Sequence, residues 1–108
     1  MAMFIVLGKF TDAGAKTITN LRQGVEGNIA RGERLGVKVH GWYLTQGQYD
    51  FVVVAEGPDA ETMLAQSAGA SMAGVARVET LRAFTLDEAD AALQRLASVA
   101  PAGAAASS

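Results

Sequence analysis

Two strand-like runs on either side of a glycine turn place the strongest constraint on how this chain can fold. The first run extends from Val37 to Thr45, and the second, from Tyr49 to Glu56, contains an uninterrupted apolar FVVV segment. Only Gln46, Gly47 and Gln48 separate them. A three-residue loop with glycine between two such runs is typical of a β-hairpin. The sequence therefore predicts an antiparallel strand pair at the middle of the chain.

The loop length also predicts which residues of the hairpin face each other. In the register that a three-residue loop implies, Lys38 lies opposite Glu56, and an opposite-charge pair across two strands favours that register. A shift by one residue would exchange the two faces of the hairpin. The other predicted pairs are Thr45 with Tyr49, Tyr43 with Phe51 and Val39 with Ala55 on one face, and Leu44 with Asp50, Trp42 with Val52 and His40 with Val54 on the other.

The remaining patterns predict one strand and one helix on each side of the hairpin, and a further helix at the end. An apolar run over Met3–Phe10 predicts the first strand. Helical spacing from Ala13 to about Leu35 predicts a helix, which glycines weaken and which we expect to break near Arg22 to Gly24. The later elements are a helix from Pro58 to near Gly74, a strand from Val75 to Phe84, and a helix from about Leu86 to Val99 that opens with a Thr85–Glu88 capping box.

This order of elements predicts an α+β fold of the ferredoxin-like type. The pattern βαββαβ gives a four-stranded antiparallel sheet with two helices on one face, and the last helix is an addition to it. A chain of 108 residues has room for one domain, which we place at residues 1–99. The Ala, Gly and Ser residues at 100–108 have nothing to bury, so we expect a disordered tail.

The predicted hairpin is apolar on both faces, whereas two helices can cover only one face of the sheet. Trp42, Leu44, Val52 and Val54 would form an exposed apolar patch of a kind that monomers avoid. We expect a second copy of the chain to cover this patch, which predicts a homodimer or a larger ring of dimers.

Charge and cysteine content exclude several kinds of partner. The net charge is −2 with no run of one sign, which disfavours nucleic acid and anionic membranes. The absence of cysteine removes disulfides and thiolate sites, and a single histidine cannot form a zinc site, so we predict no metal and no cofactor. The N-terminal run lacks the flanks of a signal peptide, and we expect a cytoplasmic protein.

Four sequence blocks, in order, resemble the GYD domain family of small bacterial proteins. They are FIVLGKFTDAG at the start, GWYLT in the first hairpin strand, GQYD followed by FVVVAEGPDAE, and VETLRAFT before the last helix. This resemblance implies the dimeric α/β-barrel superfamily. That superfamily contains monooxygenases, haem enzymes, isomerases and proteins without an assigned activity, so the resemblance implies an architecture more than a chemistry.

Three residues are candidates for catalysis. Asp50, with Tyr43 or Tyr49 as a hydrogen-bond donor, has the chemistry of a general base or ligand anchor. The alternative, which we favour, is that Asp50 accepts amides of the Gln46–Gln48 turn or pairs with Arg77 or Arg82. His40 is a candidate base or haem ligand, but a strand histidine satisfied by its neighbours is the more common case.

The sequence favours binding over catalysis as the function. We expect a self-associating small-molecule-binding or structural domain whose pocket lies between the sheet and the helices. The alternative is a cofactor-free oxygenase or isomerase that acts on a small apolar or aromatic substrate through Trp42, Tyr43, His40 or Asp50. The predicted ligand-binding residues are Phe4, Tyr43, Tyr49, Asp50, Phe51 and Arg82.

Overall fold

Four strands and four helices make up the part of the chain that the structure describes, residues 1–99 of a computed structural model. The predicted tail at 100–108 lies outside these residues, so a domain boundary at residue 99 stays a prediction. The elements are β1 (Ala2–Phe10), α1 (Asp12–Lys16), a 3₁₀ turn (Ile18–Asn20), α2 (Leu21–Arg34), β2 (Lys38–Leu44), β3 (Phe51–Gly57), α3 (Ala60–Ala73), β4 (Ala76–Ala83) and α4 (Leu86–Val99).

The strands form one antiparallel sheet in the order β2-β3-β1-β4. This order and the sequence of elements confirm the predicted ferredoxin-like α+β fold with an additional C-terminal helix. One side of the sheet, the covered face, carries the core residues and lies against α1, α2 and α3. The other side, the open face, has no described helix packed on it. The covered face carries Phe4, Val6, Phe51, Val53 and Ala55, and the open face carries Ile5, Leu7, Val52, Val54 and Leu81.

Strand β3 contributes three side chains to the core, and its side chains alternate between the two faces of the sheet. Phe51, Val53 and Ala55 are buried, whereas Val52 and Val54 are half-buried. This alternation follows from the two-residue period of a strand. The buried apolar side chains of the other elements that complete the core are Phe4, Val37, Met63 and Ala76.

The first helical segment breaks earlier than the glycines predict. Helix α1 ends at Lys16, and the break occupies Thr17 and the 3₁₀ turn that follows, not Arg22 to Gly24. The Thr17 hydroxyl donates to the carbonyl oxygen of Gly14 at 3.2 Å. Side chains that are branched at Cβ lose rotamer freedom in a helix, and a threonine hydroxyl competes for the backbone. The break therefore lies at the Thr17-Ile18-Thr19 run, which disfavours a continuous helix, and α2 remains helical despite its glycines.

Helix α3 has well-defined signals at both ends. Asp59 is its N-cap, and a carboxylate oxygen of Asp59 accepts from the backbone amide of Thr62 at 2.7 Å. The side chain and then the backbone amide of Thr62 lower the pKa of Asp59. Pro58 precedes this cap and is not the first helical residue. Gly74 ends the helix with φ = +74°, a left-handed conformation that favours glycine.

The hairpin register differs from the predicted one because β2 contains a bulge at His40. Lys38 pairs with Glu56, as predicted, but beyond His40 every pair shifts by one residue. Trp42 pairs with Val53, not with Val52, and therefore lies on the covered face. The predictions for Tyr43, Leu44, His40 and Thr45 are wrong for the same reason. Tyr43 pairs with Val52 on the open face, Leu44 pairs with Phe51 and Gly41 pairs with Val54, whereas His40 has no paired residue on β3. The amide of Thr45 donates to the carbonyl oxygen of Asp50 at 2.7 Å.

Helix α4 stands away from the sheet and the other helices. Its residues are exposed, apart from the half-buried Ala89. Leu86 is 85% exposed and Leu96 is 60% exposed, so its apolar stripe has no partner among the described residues. No helix within residues 1–99 is long and apolar enough to cross a membrane.

Candidate functional site

A cavity of about 480 Å³ lies between the covered face and helices α2 and α3. Trp42 forms part of its wall, and the indole ring stacks on Phe51 with 4.8 Å between ring centroids and 16° between ring planes. Phe10 adds a tilted ring at 5.3 Å from Phe51. The bulge at His40 produces this arrangement, because a regular strand could not direct both Val39 and Trp42 to the covered face.

Helix α2 leaves space beneath it instead of packing closely on the sheet. Leu21 and Val25, which point toward the sheet, are only half-buried. Gly24 and Gly27 also line the cavity, and a Cβ atom added at either position would meet no heavy atom within 4 Å. The two glycines therefore enlarge the cavity, because any side chain at these positions would project into open space.

A hydrogen-bonded polar cluster lines the cavity where α2 meets α3. Buried Gln66 donates from Nε2 to the carbonyl oxygen of Asn28 at 3.0 Å and accepts at Oε1 from Nε of Arg31 at 3.2 Å. The guanidinium of Arg31 lies against Gly69, where a Cβ atom would approach its central carbon to 2.9 Å. The hydrogen bonds of Gln66 therefore hold the two helices together at this end of the cavity.

Asp50 lies outside the cavity and bonds to the neighbouring strand. Its carboxylate accepts from the backbone amide of Phe10 at 2.8 Å, and its own amide donates to the carbonyl oxygen of Gly8 at 2.7 Å. From the sequence we favoured a structural role for Asp50, but with the turn amides or an arginine as its partner. In the structure, Asp50 joins the start of β3 to the end of β1.

Tyr49 lies on the open face, at the end of the sheet where Asp50 joins β3 to β1. Its hydroxyl donates to Oε2 of Glu79 on β4 at 2.8 Å, and Nζ of Lys9 lies 5.6 Å from the centre of its ring. The hydrogen bond to Glu79 raises the pKa of Tyr49 above its ordinary value. This phenol therefore stays protonated at neutral pH and acts as a donor.

His40 lies at the opposite end of the open face. Its Nε2 is 2.5 Å from Oε1 of Glu56, at the surface of the bulge. Asp50, directly before β3, and Glu56, near the end of β3, are six residues apart, which corresponds to about 20 Å of extended chain. His40 and Asp50 are therefore too far apart to act on one substrate.

Phe4 and Arg82 meet at a second, smaller cavity of about 310 Å³ beside α3. The guanidinium of Arg82 lies 5.5 Å from the ring centre of Phe4 and 4.3 Å from that of Phe84. Arg82 also donates to the carbonyl oxygen of Met3 at 3.1 Å and lies 3.9 Å from Oε2 of Glu88. This arginine joins the edge of the sheet to the first turn of α4.

The predicted ligand-binding residues therefore do not share one site. Of these residues, Phe51 lines the large cavity, whereas Phe4 and Arg82 line the small one. Tyr43, Tyr49 and Asp50 belong to the other side of the sheet. Sequence reasoning missed Trp42, Arg31 and Gln66 as cavity residues. Trp42 was missed because the bulge in β2 cannot be read from the sequence. Arg31 and Gln66 were missed because the sequence does not specify which positions of α2 and α3 contact each other. Within residues 1–99, no three acidic or histidine side chains come close enough together to hold a metal ion.

Comparisons with known proteins give a family and a relative. The family model described as GYD domain matches residues 4–93. The chain is similar to a Thermus thermophilus protein named glutamine synthetase and cystathionine beta-lyase binding protein. The two are 34% identical over 95 residues, which cover 87% of this chain and 100% of the relative. No solved structure matches the chain.

Proposed function

This chain belongs to the GYD domain family, and we propose that it acts by binding proteins: it associates with itself and docks on a metabolic enzyme. The relative's name describes a binding protein for glutamine synthetase and cystathionine beta-lyase. Because that relative aligns over its whole length, we extend this type of role to the present chain. Enzymes of these two kinds are the first partners to test.

The observation that carries this proposal is the exposed apolar stripe of α4. Leu86, Ala89, Leu93 and Leu96 recur at helical spacing, so they share one side of the helix. An isolated helix of 14 residues is marginally stable in water, and most helices in proteins are stabilised by packing their apolar side. Helix α4 lacks such packing against residues 1–85. A partner that covered the stripe would supply it, as in helix-in-groove recognition.

The open face is the surface that we assign to self-association. Midway between its two ends it carries an apolar group, Ile5, Leu7, Val52, Val54 and Leu81, in which Leu81 on the edge strand β4 is 40% exposed. Charged and polar side chains lie at both ends, with Lys9 and Glu79 at one end and His40 and Glu56 at the other. An apolar centre with a polar rim is the usual anatomy of a protein interface. Two copies related by a twofold axis would bury this face sheet against sheet.

The arrangement of the titratable residues gives less support to the alternative, an oxygenase or isomerase. The candidates Asp50, Tyr49 and His40 lie on the open face, whereas the large cavity lies on the covered side. The carboxylate of Asp50 is engaged by a backbone amide. The position of Trp42 in the cavity supports binding of an apolar molecule as readily as it supports catalysis on one.

A binding assay with purified enzymes tests the proposal. The full chain is immobilised, and glutamine synthetase and cystathionine beta-lyase are passed over it in separate runs. We expect at least one enzyme to bind with a Kd at or below the micromolar range that stable protein contacts reach. The double variant Leu93→Glu/Leu96→Glu should weaken that binding at least about tenfold, because it charges the apolar stripe.

The matched control places the same two charges on the other side of α4. Ala91→Glu/Ser98→Glu should bind the enzyme as the unchanged chain does. Circular dichroism of both double variants verifies that the rest of the fold is retained. Failure of both enzymes to bind at about 100 μM would overturn the proposal. Equal weakening by the two double variants would also overturn it.

A further inference from the structure

The large cavity has the dimensions and walls of a small-molecule site, which is a property separate from protein binding. Its volume of about 480 Å³ falls within the range of about 300 to 1,000 Å³ that ligand pockets occupy. Aromatic and aliphatic side chains, among them Trp42, Phe51, Val53 and Met63, form most of its wall. A cavity of this kind favours ligands that are mainly apolar.

Arg31 is the single ionisable side chain among the residues that line this cavity. No Asp, Glu, Lys or His lines it within residues 1–99. Arg31 is half-buried, and no described carboxylate lies within ion-pair distance of its guanidinium. Its described hydrogen bonds run from Nε to the side-chain oxygen of Gln66 and from Nη2 to the carbonyl oxygen of Gln66, at 3.2 and 3.5 Å. The positive charge is therefore held in place by neutral acceptors and is not compensated by an anion.

We infer that the cavity between α2, α3 and the covered face binds an apolar monocarboxylate, such as an aryl-alkanoic acid, with its carboxylate on Arg31. A guanidinium presents several donors in a fixed plane, which matches the two oxygens of a carboxylate. Gln66 holds Nε and Nη2, so Nη1 is the guanidinium nitrogen without a described acceptor. A single cation in a mainly apolar site without other ionisable side chains selects one negative charge and disfavours amines and neutral molecules.

The glycines of α2 provide the room for the apolar body of this ligand. Leu21 and Asn28, about one turn before and after Gly24, also line the cavity, so Gly24 lies on the cavity side of the helix. A Cβ atom there would touch nothing within 4 Å. A leucine at this position would extend into the cavity. Helix propensity also favours leucine over glycine, so the substitution is compatible with α2.

Isothermal titration with 4-phenylbutyrate and its neutral analogue 4-phenylbutan-1-ol tests the inference. We expect the unchanged chain to bind the carboxylate at least about tenfold more tightly than the alcohol, as a charge-assisted hydrogen bond predicts. Arg31→Met should remove this preference, because the cavity then has no positive charge to favour the carboxylate over the alcohol. Gly24→Leu should weaken binding of both molecules at least about tenfold by occupying the space.

The control is Arg34→Gln, which removes a positive charge from the same helix at a position that does not line the cavity. It should leave both affinities unchanged. Thermal melting shows whether each variant is folded. If Arg31→Met is unfolded because it lacks the hydrogen bonds to Gln66, Gly24→Leu still tests whether the ligand occupies the cavity. If the carboxylate failed to bind at millimolar concentration, the inference would be overturned. A preference for the carboxylate that persists in Arg31→Met would also overturn it. Neither result would affect the enzyme-binding assay, which uses α4.

Discussion

At the residue scale, Asp50 shows how a short motif can serve the sheet instead of a reaction. Strand β3 begins at Phe51, but β1 continues to Phe10, whose amide would lack a strand partner on that side. The carboxylate of Asp50 accepts from this amide. The sequence indicated that a carboxylate next to a glycine turn stabilises the hairpin. It could not identify Phe10 as the donor, because that contact depends on the pairing of strands 40 residues apart.

Replacing Asp50 tests this role directly. We expect Asp50→Ala to lower the free energy of unfolding by about 1 to 3 kcal/mol, because the amide of Phe10 would be left without its acceptor. Asp50→Asn keeps an acceptor oxygen and should cost less. Urea unfolding followed by circular dichroism measures both variants. If Asp50→Ala unfolded at the same urea concentration as the unchanged chain, the carboxylate would have no structural role.

The glycines of α2 and α1 should respond to alanine in opposite directions. Gly24→Ala and Gly27→Ala are each expected to raise the free energy of unfolding by up to about 1 kcal/mol, because alanine is the better helix former and meets no obstacle here. Gly14→Ala should destabilise the chain, because its Cβ atom would overlap the backbone carbonyl oxygen of Val75. Urea unfolding of the three variants provides the comparison. A loss of stability in Gly24→Ala would contradict the open space that we describe beneath α2.

At the scale of elements, the sequence predicted the order and type of nearly every segment but not the bulge in β2. Lys38 opposite Glu56 was sufficient to align the start of the hairpin. An extra residue at His40 then shifts the pairing, and nothing in a period-two pattern marks such an insertion. Trp42 consequently moved from the predicted exposed patch to the wall of the cavity. For this reason the predicted pocket lining included Tyr43 and left out Trp42, although the fold was predicted correctly.

The capping box of α4 provides a prediction about pH. The amide of Thr85 donates to Glu88 at 2.9 Å and the amide of Glu88 donates to Thr85 Oγ1 at 3.1 Å. The backbone amide of Thr85, with a smaller contribution from the charge of Arg82, lowers the pKa of Glu88. Because the folded pKa is below the ordinary value, Glu88 stabilises α4 at pH values above that ordinary value. This contribution is lost as the pH falls through the lowered pKa.

Since α4 does not pack on the sheet, we expect this loss as local fraying rather than global unfolding. Amide hydrogen exchange in α4 should be faster in Glu88→Gln than in the unchanged chain at pH 7. After correction for intrinsic exchange, the two should converge once the pH has fallen through the lowered pKa of Glu88, where its carboxyl group is protonated. Glu26→Gln on α2 is the control and should leave α4 unaffected. A difference that persists at low pH would rule out the charge as the cause.

At the scale of the whole molecule, two apolar surfaces of residues 1–99 are left uncovered. One is the open face of the sheet, where Leu81 is 40% exposed, and the other is the stripe of α4, where Leu93 is 58% exposed. A monomer seldom exposes apolar surface of this extent. The two surfaces therefore support the proposed assembly with other chains.

Charging the open face tests the proposed self-association. We expect light scattering after size-exclusion chromatography to give at least twice the mass of one chain for the unchanged protein. Leu81→Asp should give the mass of a single chain, because a carboxylate within the apolar group of the open face opposes the burial of that face against a second copy. Leu64→Asp on α3 is the control, since Leu64 is more exposed than Leu81 but lies on the helical side. A single-chain mass for the unchanged protein at high concentration would refute sheet-to-sheet dimerisation.

The stacking of Trp42 on Phe51 at the cavity wall has a practical consequence. Trp42 is the only tryptophan of the chain, so every photon emitted under selective indole excitation originates beside that empty space. The wavelength and lifetime of this emission depend on the polarity and quenchers around the ring. The intrinsic fluorescence of Trp42 therefore reports ligand binding in the cavity. Compound libraries or metabolite extracts can be screened by this signal without attaching a dye.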